Sequence, residues 1–181
     1  DIIIGIAVDL PEECEQITFS GSPIYGTSKG DSLKGTSGND LIIGFEGGDA
    51  IDGKGGDDCI LGGAGGDSIK GGEGNDFVFG NEGHDSIKGG SGADLLVGGS
   101  GHDSLQGEGG NDKLVGEDGD DSLSGDGGED ELLGGDGKDS LKGGGENDIL
   151  IGGAGIFDSA NGNGGTDKCD AESKTNCELL I

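Results

Sequence analysis

One position in nine is aliphatic along most of this chain, and it keeps phase: Leu33, Ile42, Ile51, Ile60, Ile69, Val78, Ile87, Leu96, Leu105, Leu114, Leu123, Leu132, Leu141 and Leu150. Two residues before each stands an aspartate: Asp31, Asp40, Asp49, Asp58, Asp67, Asp76, Asp85, Asp94, Asp103, Asp112, Asp121, Asp130, Asp139 and Asp148. Five residues before each aspartate is a glycine, from Gly26 and Gly35 to Gly143. A glycine-rich linker does not hold three residue classes in phase over so many units, so the period is structural. The pattern predicts six residues of turn and three of strand per unit. The aliphatic, in mid-strand, points inward and its two neighbours outward. Turn glycines allow φ > 0 and let carbonyl oxygens face inward without a Cβ clash.

The period divides the chain. Residues 1–25 are an N-terminal cap with an apolar, β-prone run at Ile2, Ile3, Ile4, Ile6 and Val8, ended by Pro11. Residues 26–170 are the repeats, and 171–181 form a C-terminal cap. An insertion at Ile156-Phe157 shifts the frame, which resumes with Asp158 and Asp167 and with Ala160 and Cys169 in the aliphatic slots. Lys29 and Glu146 replace the glycine two before the aspartate, so the units of Asp31, Asp148, Asp158 and Asp167 are irregular.

Charge changes the picture. Thirty-eight acidic residues face ten basic ones, all lysine, among 181 residues of which 47 are glycine, for a net charge of −28. Such a chain repels nucleic acid and anionic membranes. No apolar stretch is long enough for membrane insertion. Low hydrophobicity with like charge ordinarily means disorder, so multivalent cations must neutralise the carboxylates before the chain compacts. Carboxylate and carbonyl oxygens suit a hard ion such as Ca2+. The four cysteines, Cys14, Cys59, Cys169 and Cys177, form no CxxC pair, and their even number fits disulfides in an oxidising, extracellular setting.

The unit GGEGNDFVF, Gly71 to Phe79, resembles the glycine-rich nonapeptide of the RTX, or haemolysin-type, calcium-binding proteins, and the likeness extends over about residues 26–170. The resemblance implies an all-β, right-handed parallel β-roll, a solenoid with eighteen residues per coil and two short-strand sheets. It also implies that successive turns lie on opposite sides, with calcium held between stacked turns by backbone carbonyls and by the aspartates named above, Asp158 and Asp167 included. About twelve stacked pairs of turns would take about twelve ions and nearly cancel the net charge, coupling binding to folding. The segment GGTDKCDAESKTNC, Gly164 to Cys177, is similar to the cysteine-bearing terminus of some exported members.

A second period lies within the first. Every eighteen residues the outward positions of one sheet read Ser32, Ala50, Ser68, Ser86, Ser104, Ser122 and Ser140, a solvated face. The other sheet presents Leu41/Ile43, Cys59/Leu61, Phe77/Phe79, Leu95/Val97, Lys113/Val115, Glu131/Leu133 and Ile149/Ile151. That apolar stripe, roughly 300–350 Å2, is the expected interface of a homo-oligomer or filament, since stripes of this size rarely stay bare. The opposing reading is a cover by the chain's own termini, held by a Cys14–Cys59 disulfide; about eight residues at Ile2–Val8 are too few for seven strands. Cys169 and Cys177 are expected to seal the last coil. His84 and His102 occupy equivalent slots one coil apart, where their rings would stack as solvated turn residues, and Lys113 would pair with Glu131. No HExxH run or GxSxG elbow is present, so the chain reads as no enzyme. The expected function is an extracellular, calcium-folded structural or adhesion-type protein that self-associates. The alternative is the calcium-dependent secretion or stability module of a larger secreted enzyme. An ice-binding solenoid would need Thr or Asn ladders that this chain lacks.

Overall fold

The computed structural model describes residues 10–155, 157–171 and 173–179, so the run Ile2–Val8 and the cover expected of it lie outside the described residues. Within them the chain winds into a parallel β-solenoid of about eight turns. One sheet has ten strands and the other nine, and consecutive strands alternate between the two. The first runs from Ile24–Tyr25 through Leu41–Glu46 and Cys59–Ala64 to Glu178–Leu179; the second runs from Ser32–Lys34 through Ala50–Gly55 to Ser173–Thr175. Neighbours within a sheet pair in parallel and in register, eighteen residues apart as far as Ile149–Gly153, as in Leu41↔Cys59 and Ser104↔Ser122.

The in-phase aliphatics become one continuous core. Leu33, Ile42, Ile51 and their equivalents through Leu150, followed by Ala160 and Cys169, pack as a single buried file, with none more than 9% exposed. Each fully buried Leu or Ile contributes roughly 1.5–3 kcal/mol of transfer free energy. Each coil contributes only two aliphatics to it, one from each sheet, so no coil encloses a core of its own; each depends on its neighbours.

Three features depart from the sequence expectation. The regular strands run six residues, not three: after Ile43↔Leu61 the ladder resumes at Phe45↔Gly63 and Glu46↔Ala64. Backbone curvature is therefore concentrated at two left-handed residues per unit, four and two before the aspartate, as in Asn81 (φ 78°) and Gly83 (φ 139°). The insertion near Phe157 is absorbed within one turn, since Ser140↔Ser159 and Ile149↔Lys168 pair across nineteen residues with the stacking intact. Ladder pairing also extends past both ends of the repeat, through Ile24–Tyr25 and through Ser173–Thr175 and Glu178–Leu179.

The apolar stripe is also corrected. Leu41 and Ile43 are buried, 7% and 4% exposed, as is Cys59, and all three lie in a second cluster with Cys14. Leu10, Ile17 and Phe19 pack onto that cluster, together with Leu61, Phe77 and Phe79. The expected Cys14–Cys59 disulfide is formed, with Cα atoms 5.6 Å apart. Ser20 N–H donates to Asn39 O at 2.7 Å, Cys14 is bonded one coil further on, and Glu13 borders a groove lined by Phe79 and Leu95. Residues 10–20 thus run across the strands. An extended chain advances about 3.3 Å per residue, and strands are spaced about 4.8 Å apart, so a short segment spans several strands. Leu41 and Ile43 are therefore covered within the chain, and Leu61, Phe77 and Phe79 pack in the same cluster as Leu10, Ile17 and Phe19. Beyond the cover remain Leu95, Val97, Val115, Leu133 and Ile151, all half-buried, and Ile149, 40% exposed. Lys113 Nζ lies 3.2 Å from Glu131 Oε2 within that strip. Cys169 and Cys177 form the second disulfide, their Cα atoms 5.7 Å apart.

Candidate metal centre

Each repeat aspartate stands where a turn re-enters a strand, and its side chain folds back into the turn. From Asp40 to Asp148, and at Asp158 and Asp167, every repeat aspartate is buried. One carboxylate oxygen has a fixed partner: Asp40 N–H donates to Asp58 Oδ1 (2.8 Å), Asp58 N–H to Asp76 Oδ1 (2.9 Å), and Asp76 N–H to Asp94 Oδ1 (2.8 Å). This ladder runs the length of both sides. It crosses the insertion through Asp139 N–H to Asp158 Oδ1 and Asp148 N–H to Asp167 Oδ1, each 2.9 Å. Every carboxylate from Asp49 onward thereby reaches back to the coil before it.

The second oxygen has none. Oδ2 of Asp49, of each repeat aspartate from Asp58 through Asp148, and of Asp167 is buried without a hydrogen-bond donor. A buried acceptor left unpaired costs roughly 1–3 kcal/mol, and more when it bears charge. The glycine five before the aspartate makes room for it: a Cβ on Gly62 would overlap Asp67 Oδ2 and meet Gly80 O of the next coil. Carboxylate oxygen and backbone carbonyl thus converge between stacked turns. Among the described residues no three His, Cys, Asp or Glu side chains gather about one point, so a cation there would have to be held largely by carbonyl oxygens beside the carboxylates. Such an all-oxygen set suits Ca2+ and not a thiolate- or imidazole-seeking metal.

Burial sets the electrostatics. It pushes the carboxyls of Asp58, Asp76, Asp94 and Asp112 up to about 7, against the lowering by the N–H each accepts and with help from neighbouring aspartates. Asp85, Asp121 and Asp148 rise to about 6, again chiefly through burial.

The structure also gives a role to a slot that looked indifferent in the sequence. The residue before the aspartate forms a second ladder, of opposite direction. Asp57 N–H donates to Asn39 Oδ1, Asn75 N–H to Asp57 Oδ1, and Ala93 N–H to Asn75 Oδ1, each at 2.8 Å. His84 and His102 belong to it: their rings stack 5.1 Å apart, and their Nδ1 atoms accept from His102 N–H and Asp120 N–H at 2.7 Å. An Nδ1 that accepts places the neutral ring's proton on Nε2. The sequence signal for this ladder was weak, because Asn, Asp and His fill the slot only part of the time.

Glu146, which replaces a turn glycine, takes up the left-handed region at φ 61°, and the Asp148 ladder on either side is intact. The first two units differ. Asp31 Oδ2 accepts from Thr27 N–H and Oγ1–H (2.7 and 2.8 Å), and Asp40 Oδ2 from Thr36 N–H and Oγ1–H (2.6 and 2.9 Å).

Two parallel sheets joined by glycine turns, with a row of buried half-paired carboxylates down each side, define a calcium-binding β-solenoid. A family model described as the RTX calcium-binding nonapeptide repeat, in four copies, matches residues 25–59, 61–96, 88–123, 97–132 and 124–156. With well over half the chain matched, the protein belongs to that family. A comparison with curated proteins finds no match to the chain.

Proposed function

We propose that this chain is an extracellular structural module that folds when Ca2+ enters the gaps between stacked turns. The observation that carries this reading is the row of buried Oδ2 atoms from Asp49 to Asp148 and at Asp167, most of them in turns where a backbone carbonyl of the next coil closes on the same glycine. Fourteen gaps are bridged by an aspartate N–H and an aspartate Oδ1, from Asp31–Asp49 to Asp148–Asp167, because the insertion leaves the stacking unbroken. One ion per gap gives about fourteen, two more than the sequence count, and a charge of about +28 against −28. The ion supplies positive charge and oxygen-ligand bonding; the chain supplies the spacing, the carboxylates and the carbonyl-lined turns. Family membership and the two disulfides support an oxidising location outside the cell.

Far-UV circular dichroism during calcium addition to chelated protein at pH 8 tests this. The β signal is expected to appear with Ca2+ and not with NaCl at equal ionic strength. A chelated chain with an unchanged β signal would contradict the reading.

Self-association belongs to the same proposal in reduced form. The strip from Leu95 to Ile151 spans four strands, or roughly 190 Å2. A stable interface buries about 800 Å2 on each partner. Pairing through this face is therefore weak and concentration-dependent, not filament-forming. Sedimentation velocity over a concentration series checks it: Val97→Ser with Val115→Ser is expected to abolish the concentration dependence, and a tight dimer that survives both changes would refute this assignment of the face.

A further inference from the structure

The first turn on each side of the solenoid is built unlike those that follow. In later units the residue four before the aspartate has positive φ, whether glycine or not: Phe45 78°, Lys54 80°, Gly63 113°, Asn81 78°, Glu117 76°. Among the described residues none from 26 to 40 has positive φ. Thr27 and Thr36 hold that position in these first two units. A β-branched residue strongly disfavours φ > 0. With the backbone in its ordinary region, the threonine N–H turns inward and joins its own hydroxyl in donating to the aspartate Oδ2. Lys29 stands in the ordinary region of φ where most later units have a left-handed glycine and one has the left-handed Glu146, because this turn has no left-handed position to fill.

The location explains the chemistry. Every repeat aspartate from Asp49 onward sends Oδ1 back to the unit eighteen or nineteen residues earlier, as Asp49 does to Asp31 N–H at 2.7 Å and Asp58 to Asp40 N–H at 2.8 Å. No repeat unit precedes those of Asp31 and Asp40: the segment stacked before Asp40's turn is non-repeat chain, with Ser20 N–H donating to Asn39 O. We infer that Thr27 and Thr36 are end caps of the calcium stack: their hydroxyl and N–H take the carboxylate oxygen that later turns leave for the ion, and Asp31 and Asp40 carry no ion of their own. The arrangement parallels a helix N-cap, where a side-chain hydroxyl satisfies a backbone group that the missing preceding turn would have satisfied. Sixteen repeat aspartates then serve about fourteen ions.

This inference rests on the calcium reading, and the test separates the two. Ions per chain are counted by equilibrium dialysis and elemental analysis for the intact protein, for Asp40→Asn and for Asp76→Asn. Asp76→Asn is expected to lose about one ion, and Asp40→Asn to keep the full count. Loss of an ion from Asp40→Asn equal to that from Asp76→Asn overturns the inference. Because a carboxylate change can disturb folding, Thr27→Val with Thr36→Val provides a second arm that keeps shape and β-branching. In that variant, hydrogen exchange over Gly26–Lys34 is expected to rise about tenfold with Ser104–Gly109 unchanged, which corresponds to about 1.4 kcal/mol, a usual value for a lost cap. Unchanged exchange overturns the cap. If the intact protein binds no calcium, the calcium reading fails by itself, and the exchange comparison still decides whether the threonines close these turns.

Discussion

Acid is expected to fold the calcium-free chain. In the metal-free coil, burial raises Asp58, Asp76, Asp94 and Asp112 from 3.8 to about 7. A shift of that size corresponds to about 4 kcal/mol per group, at 1.36 kcal/mol per pH unit, by which ionisation disfavours the folded state. That figure is a ceiling, because the groups keep part of their contact with the solvent field, which screens the penalty. Neighbouring aspartates raise one another, so the penalties do not add independently, but the whole row still weighs against a domain stability of about 5–15 kcal/mol. The sign follows from linkage: a group whose folded value lies above its unfolded value stabilises the fold fully below about 3.8, and that contribution is lost as pH rises through about 7. Metal-free protein, prepared over a chelating resin, is therefore expected to be unfolded at pH 8 and to gain β structure as pH falls toward 5. Measurements stop there because the sequence pI is about 4.1, where loss of net charge promotes association. With calcium in excess the dependence reverses, since protons then compete with the ion for the same oxygens. Circular dichroism against pH, with sedimentation to exclude aggregates, reads both curves. A calcium-free signal that stays flat or falls between pH 8 and pH 5 would show that these carboxylates are not what opposes folding.

Three further outcomes are expected. Gly65→Ala places a side chain at φ 137° with its Cβ overlapping the Gly47 backbone, a cost of about 3 kcal/mol or more, whereas Gly109→Ala meets nothing nearer than 3.8 Å and is expected to be near neutral; calcium-loaded melting temperatures compare them. Leu114→Ala removes a fully buried member of the core file and is expected to cost about 2–5 kcal/mol in denaturant unfolding. Reduction of Cys14–Cys59, whose cysteines are 45 residues apart, is expected to remove about 4 kcal/mol by loop entropy and to expose Leu41 and Ile43, read as increased binding of a hydrophobic dye.

Much of the architecture was legible because a nine-residue unit repeats one local solution many times. The phase of Leu33 through Leu150 identified the core file, and the phase of the aspartates identified the turns, since inward and outward positions are fixed by strand alternation. Each disulfide joins one cysteine on that frame, Cys59 or Cys169, to one in a cap, Cys14 or Cys177. Length was less legible. Residues four before the aspartate carry left-handed φ yet stay in the ladder, so a composition that reads as turn proves to be strand at Phe45 and Glu46. The threonine caps were visible only as two threonines at one offset in two adjacent units, with nothing to show that their N–H groups face inward.

By itself the sequence determined periodicity, the buried residue of each strand and the oxygen-rich, carboxylate-bearing turns that suit Ca2+, because each depends on neighbours at fixed spacing along a repeating chain. Only the tertiary structure decided which carboxylate oxygens are left without a donor, how the insertion near Phe157 is absorbed, and which part of the apolar stripe residues 10–20 cover. Those depend on how a non-repeating segment crosses the coils and on which turns have a neighbour before them. A stack has ends, and the repeat unit carries no information about where they fall.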